Sequence, residues 1–343
     1  MQQIKNPPNP FESSYREYLE EPPLTELQVY EENSQTILSK NDSPDLSFRW
    51  SLNPYKGCSH GCAYCFARPT HEYLGFGSGT DFQTKIVVKP RAPELLRSHF
   101  LKKSWKGELI LFSGNTDCYQ PLEAAWKLTR RCLEVCAEFR NPITIITKSF
   151  LVTRDIDLLK ELDRRAFVQI FFSVPFWDEK VSRALEPYAT PPKKRFEAMR
   201  RLSEAGLKTG ISLAPLIPGL NDSEMPILLQ KAKACGAVSA FTALLRLPGN
   251  VKSVFLEQLK ERLPLKAEKI VHRIRELRGG SLYNSNFFER HRGEGDYWEI
   301  LMKTFEVYQK KFALNHCPDP PSPSPFRIPS AQQEFMFLEN CVP

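Results

Sequence analysis

Residues 51–66 read Ser51-Leu-Asn-Pro-Tyr-Lys-Gly-Cys58-Ser-His-Gly-Cys62-Ala-Tyr-Cys65-Phe66. The start of this stretch, Ser51 to Tyr55, predicts a short first strand, and the cysteines follow it directly. Three thiols spaced C-x3-C-x2-C fall one short of a closed four-ligand structural site. Two chemistries remain open. Zinc would enlist His60 or a distant residue as fourth ligand, whereas a cubane iron–sulfur cluster would leave one iron open. An open iron can bind a substrate or cofactor, which a closed electron-transfer cluster cannot. Gly57 and Gly61 let the backbone wrap closely around a metal.

Downstream, short β-branched or apolar runs recur at 108–112, 143–147, 167–173, 209–213 and 238–245. Each is short enough to be a buried strand. Between them lie helical patterns at 121–139, 153–164, 192–205 and 223–235, with Thr153 and Asp222 or Ser223 as expected N-caps and Gly206 and Gly236 as stops. With 51–55 this makes six β/α units. The expected fold class is therefore α/β, a partial (β/α)6 barrel of the TIM type with N- and C-terminal extensions. The expected divisions are 1–47 as N-terminal extension, 48–250 as barrel, 251–314 as a helical region and 315–343 as a Pro-rich tail. The segment from Cys317 to Ser330 reads as a linker that folds back on the body.

The chain has 343 residues, 41% hydrophobic and 25% charged, enough for a sizeable core. No apolar run approaches the ~18 residues of a membrane span, and the first residues lack the basic start and apolar stretch of a secretory signal. The cytoplasm is the expected compartment. The net charge of +7 permits contact with nucleic acid or an anionic cofactor without demanding it. The basic runs Arg130-Arg131, Arg164-Arg165, Lys193-Lys194-Arg195 and Arg200-Arg201 read mostly as solvated helix faces. Nine cysteines in such a chain argue against a disulfide framework. Cys132 and Cys136, one helical turn apart, read as small buried hydrophobes.

C-x3-C-x-aromatic-C after a first strand, with Tyr64 as the aromatic, resembles the radical SAM superfamily. Over about residues 41–310, the motifs NPYKGCSHGCAYCFARPTHEYLG, SGNTDCYQPLE, ITKS, LAPLIPGLND and RGEGDYW resemble its spore photoproduct lyase-like ("DNA repair photolyase") branch. The resemblance implies a partial (β/α)6 barrel and a [4Fe–4S] cluster on Cys58, Cys62 and Cys65. It implies that S-adenosylmethionine (SAM) on the open iron is cleaved reductively to a 5′-deoxyadenosyl radical, which abstracts hydrogen from a substrate. By position, Ser113, Gly114 and Asn115 would hold the methionine amino group and Lys148 the carboxylate. Ser173 would reach the ribose, and Ile217 would pack on the adenine. Asp117 and Tyr119 are the candidates to face the substrate, or else they fix the loop. In one respect the chain departs from the spore enzyme: Gly114 stands where that enzyme has its hydrogen-donor cysteine, and the nearest thiol is Cys118.

The expected activity is thus a radical SAM enzyme, supplied by a reductant such as flavodoxin or ferredoxin. Nucleic acid is the candidate substrate class, with Arg290 and Arg292 on its phosphates. The alternative from another class is a nucleic-acid-binding protein with a structural metal cluster and no SAM chemistry.

Overall fold

Runs of three to nine residues become strands where the sheet is covered on both sides, and these runs are punctuated by helices with one apolar face. The computed structural model describes residues 7–11 and 26–329. The elements are β1 (Gln28–Glu31), β2 (Leu38–Lys40), β3 (Trp50–Leu52), β4 (Tyr55–Lys56), α1 (Thr80–Thr84), β5 (Lys85–Val88) and α2 (Ala92–Phe100). There follow β6 (Ile110–Phe112), α3 (Glu123–Trp126), α4 (Leu128–Phe139), β7 (Ile143–Thr147), α5 (Ile156–Arg165), β8 (Val168–Ser173), α6 (Glu179–Leu185) and α7 (Pro192–Glu204). Last come β9 (Lys208–Leu216), α8 (Met225–Ala234), β10 (Ser239–Leu244), α9 (Val251–Arg262), α10 (Pro264–Glu276) and α11 (Gly295–Lys311).

The main sheet runs β10-β9-β8-β7-β6-β3-β2. From β3 to β10 every pairing is parallel and in chain order, so the six expected β/α units are present as an open half barrel. β2 adds an antiparallel edge to β3. A smaller sheet, β1-β5-β4, stands apart. Every residue of β8, in the middle of the main sheet, is buried. Leu96, Leu133, Leu162, Met199, Leu229 and Phe305 come from six different helices and join the strands in one apolar core, and Cys132 and Cys136 lie in it, fully buried.

The structure corrects four local expectations. Tyr55 does not continue the first strand; it belongs to β4 in the small sheet. The expected helix over 121–139 is broken at Lys127, whose left-handed backbone (φ 51°) separates α3 from α4. Thr153 is not an N-cap, because a 3-10 turn over Phe150–Asp155 precedes α5 and its cap is Ser149, whose hydroxyl accepts from the Leu151 N–H at 3.1 Å. Asp222 and Ser223 lie in another such turn ahead of α8 and do not cap it. Gly206 and Gly236 do end helices, with φ of 89° and 87°.

The proline-rich segment turns back onto the body. Phe326 packs against Phe100 and Phe139, and the Arg327 N–H donates to the Phe139 carbonyl. Cys341 and the residues from Ser330 onward lie outside the described residues.

Candidate cluster site at the mouth of the half barrel

The loop after β3 is shaped by two glycines. Gly57 (φ 80°) and Gly61 (φ 66°) occupy the left-handed region. A Cβ on Gly57 would lie 2.7 Å from the His71 ring and 2.9 Å from the Phe82 carbonyl; on Gly61 it would lie 2.6 Å from Gln83 Oε1. At Gly57 backbone blocks a side chain, and at Gly61 the left-handed backbone disfavours one. Gln120 clamps the same loop, accepting from the Ser59 N–H at 3.1 Å and donating to the Gly57 carbonyl at 3.1 Å.

Cys58 and Cys62 are buried, and Cys65 is half-buried. Burial raises both buried thiols: Cys58 well above the ordinary range, helped by Asp117, and Cys62 to about 12. The three sulfurs also act on one another, so deprotonating one disfavours the next. A metal that takes up the thiolates would relieve that cost. Among the described residues, no three His, Cys, Asp or Glu side chains converge as a single ion requires; a cubane, with its thiolates on separate corners, needs no such convergence. His60, the zinc reading's fourth ligand, points its Nδ1 at Asp117 Oδ2, 3.5 Å away.

Arg68 tests the fit from another side. Its guanidinium is fully buried, and it donates to the carbonyls of Cys62 (3.0 Å), Gly61 (3.1 Å), Ser78 and Gly79 (both 2.8 Å), with no carboxylate partner among the described residues. A buried cation without a counter-ion is costly. Burial holds its pKa below the usual arginine value, and negative charge on Cys65, Cys62 and Cys58 would act against that. An anionic thiolate cluster would supply the missing countercharge, and the donor set fits a [4Fe–4S] group.

The other strand ends converge here. After β6, Ser113 takes φ 74° and its hydroxyl accepts from the Cys118 N–H. Asn53 Oδ1 accepts from the Asn115 and Thr116 N–H groups, tying this turn to β3. Gly114 lies so close to β3 that a Cβ would sit 3.0 Å from that of Ser51. Lys148, after β7, lies over the Tyr64 ring (5.7 Å) and 3.9 Å from Glu186 Oε1. Burial opposes the Lys148 charge, but Cys62 and Glu186 outweigh it and hold its pKa above the usual lysine value. The Ser173 hydroxyl, ending β8, donates to the Ala214 carbonyl at 3.2 Å. Ile217 is fully buried in one apolar cluster with Cys62 and Tyr64.

Asp117 and Tyr119 both carry structural hydrogen bonds. Asp117 accepts from Thr147 Oγ1 (2.8 Å) and the Lys148 N–H (2.7 Å), which pins the β7 end. Tyr119 is a core residue whose hydroxyl donates to buried Asp155 at 3.1 Å. Both hold the loop. Cys118 is also fully buried in the main core and does not line the mouth.

Sequence reading missed the pair that organises this end. Glu186 accepts from Tyr64, from Arg195 and from Ser182. Burial disfavours its charge, but Arg195 and Lys148 hold the carboxyl below its usual range. Arg195 is therefore no solvated helix residue: it is fully buried and also donates to the Ser173 carbonyl at 2.9 Å. Its neighbours Lys193 and Lys194 do form exposed ion pairs. Arg290 is likewise not free for phosphate, since it grips Asp45 through Nε at 2.7 Å and through Nη2.

A parallel half barrel with a three-thiol loop at the carboxyl end of its first strand defines an α/β enzyme of the open-barrel class. The family model of the radical SAM superfamily matches residues 52–232, and the protein belongs to that superfamily; it is a radical SAM enzyme. Members of the superfamily use a [4Fe–4S] cluster and SAM. The chain is 34% identical over 290 residues to an uncharacterized protein of Mycobacterium tuberculosis, covering 83% of this chain and 81% of that one. It is 31% identical over 176 residues to an uncharacterized protein of Methanocaldococcus jannaschii, covering 51% and 63%. Spore photoproduct lyase complexed with dinucleoside spore photoproduct superposes with a TM-score of 0.60 at 16% identity, over 83% of this chain and 79% of that one. At that identity the likeness is one of fold.

Proposed function

We propose that Cys58, Cys62 and Cys65 hold the [4Fe–4S] cluster, that SAM binds its open iron, and that the substrate at the mouth is a nucleic acid or a part of one. The observation that carries the cluster assignment is Arg68, a fully buried guanidinium that donates to the Gly61 and Cys62 carbonyls inside the three-cysteine loop and has no carboxylate partner among the described residues. Held by these thiols and reduced, the cluster would supply the one electron that cleaves SAM to methionine and a 5′-deoxyadenosyl radical. The chain's own part is to bind and orient. Lys148 faces the SAM carboxylate, kept charged by Cys62 and Glu186. The Ser113–Asn115 turn offers backbone carbonyls to the amino group, Ser173 keeps hydroxyl lone pairs for the ribose, and Ile217 gives the adenine an apolar wall.

Nucleic acid is supported by the likeness to spore photoproduct lyase, whose structure carries a dinucleoside photoproduct. With Gly114 lacking a side chain and Cys118 buried, hydrogen return to the product would not use a thiol of this loop. A low-potential one-electron protein such as flavodoxin or ferredoxin is the proposed reductant. The eight described cysteines are all free, which suits the cytoplasm, and among the described residues no helix is long and apolar enough to cross a membrane.

Anaerobic iron and sulfide analysis tests the ligand set. Cys62→Ala should lose the iron and the broad visible absorbance near ~400 nm of an Fe–S thiolate centre, whereas Cys132→Ala should keep both. Full iron retention in Cys62→Ala would defeat the assignment.

A further inference from the structure

At the carboxyl end of β10, outside the cluster site, cationic side chains converge without enough anions. The Leu244 N–H donates to the His291 carbonyl, and Arg278 donates through Nη2 to the carbonyls of Leu245 and Arg290, each at 3.0 Å. Arg246, the next residue in chain, lies over the ring of Phe66 (5.4 Å), which follows Cys65 directly. Its one hydrogen bond is a long one, 3.5 Å to the Tyr283 hydroxyl. Three nitrogens in this cluster are buried with no hydrogen-bond partner: Arg246 Nε, Arg278 Nε and His291 Nε2. Arg278 as a whole is only 7% exposed.

The nearby anions do not offset this. Asp45 is held by Arg290, and its Oδ2 lies 3.9 Å from His291 Nε2. Glu294 acts on Arg278 but is exposed. Among the described residues, Arg246 and Arg278 form no ion pair with a carboxylate. Burial and these guanidiniums hold the His291 pKa down to about 4, so the imidazole is neutral. Unpartnered buried donors on two guanidiniums are the donor set of an oxyanion site, and planar guanidinium forks match phosphate oxygens.

We propose that Arg246, Arg278 and His291 bind a phosphate group of the substrate, placing that substrate beside Phe66 and the cluster loop. The identity of the carrier rests on the nucleic-acid reading above; the oxyanion site itself uses none of the residues of that reading. Calorimetric titration of the anaerobically reconstituted protein tests it with inorganic phosphate, thymidylyl-(3′→5′)-thymidine and thymidine. Phosphate and the dinucleotide should bind, more weakly as salt rises, and thymidine should bind at least tenfold more weakly than the dinucleotide. Arg246→Gln should lower dinucleotide affinity at least tenfold, and Arg278→Met likewise. Arg278→Met also loses two carbonyl bonds, so if it fails to fold, Arg246→Gln decides. Equal affinity in Arg246→Gln and parent, or no binding of either phosphate compound by the parent, would overturn the site. Binding of inorganic phosphate with no preference for dinucleotide over thymidine would overturn the assignment to substrate. Iron content and SAM cleavage, measured on the same samples, report separately on the cluster reading.

Discussion

At Gly57 the cluster loop meets two hard constraints at once, a left-handed backbone and a wall 2.7 to 2.9 Å from any Cβ. The left-handed penalty and the overpacking together put Gly57→Ala at roughly 2–4 kcal/mol. Calorimetry should show a lowered Tm, and reconstitution should show reduced iron loading. Lys148→Ala should leave the cluster in place and weaken SAM binding. A partly shielded charge-assisted contact is worth roughly 1.5–3 kcal/mol, about tenfold or more in affinity. Equal SAM affinity in variant and parent, measured anaerobically, would return Lys148 to a partner of Glu186 alone. The thiols and the two glycines were marked by their spacing after a strand, and Lys148 by the family resemblance; the structure sets Lys148 over the Tyr64 ring. Neither signal marked Glu186 or Arg195. They come from the ends of helices far along the chain, and Arg195 stands in a basic run whose other members are solvated.

Among the elements, the central strands were readable and the edges were not. β7 and β8 carry β-branched and aromatic residues on buried positions, so composition alone marks them. β1 is exposed at all four residues, and β2 buries only Leu38, so neither carries a periodic signal. Their strand state comes from pairing with β5 and β3, which no local pattern reveals. The Pro-rich segment is similar: its composition says extended, and only Phe326, set against Phe100 and Phe139, says where it docks. Phe326→Ala removes that half-buried ring. The expected cost is ~1–2 kcal/mol, read as a Tm lower by a few degrees with unchanged iron content. An unchanged Tm would mean that the segment adds nothing to the stability of the body.

For the molecule as a whole, an open sheet gathers the ends of six strands at one mouth, and the long first connection, residues 53–109, delivers the thiols there. The later connections bring further polar groups to the same end: Asp117 accepts from the Lys148 N–H, Lys148 lies 3.9 Å from Glu186, and Glu186 accepts from Tyr64. Arg68, fully buried with no carboxylate partner among the described residues, is the charge that would join the fold to the proposed cluster. Reductive SAM cleavage tests that joining most directly. The anaerobically reconstituted protein, given SAM and dithionite, should form 5′-deoxyadenosine, and Cys62→Ala should form none. A parent protein that carries its full iron and sulfide complement yet leaves SAM intact would contradict the account.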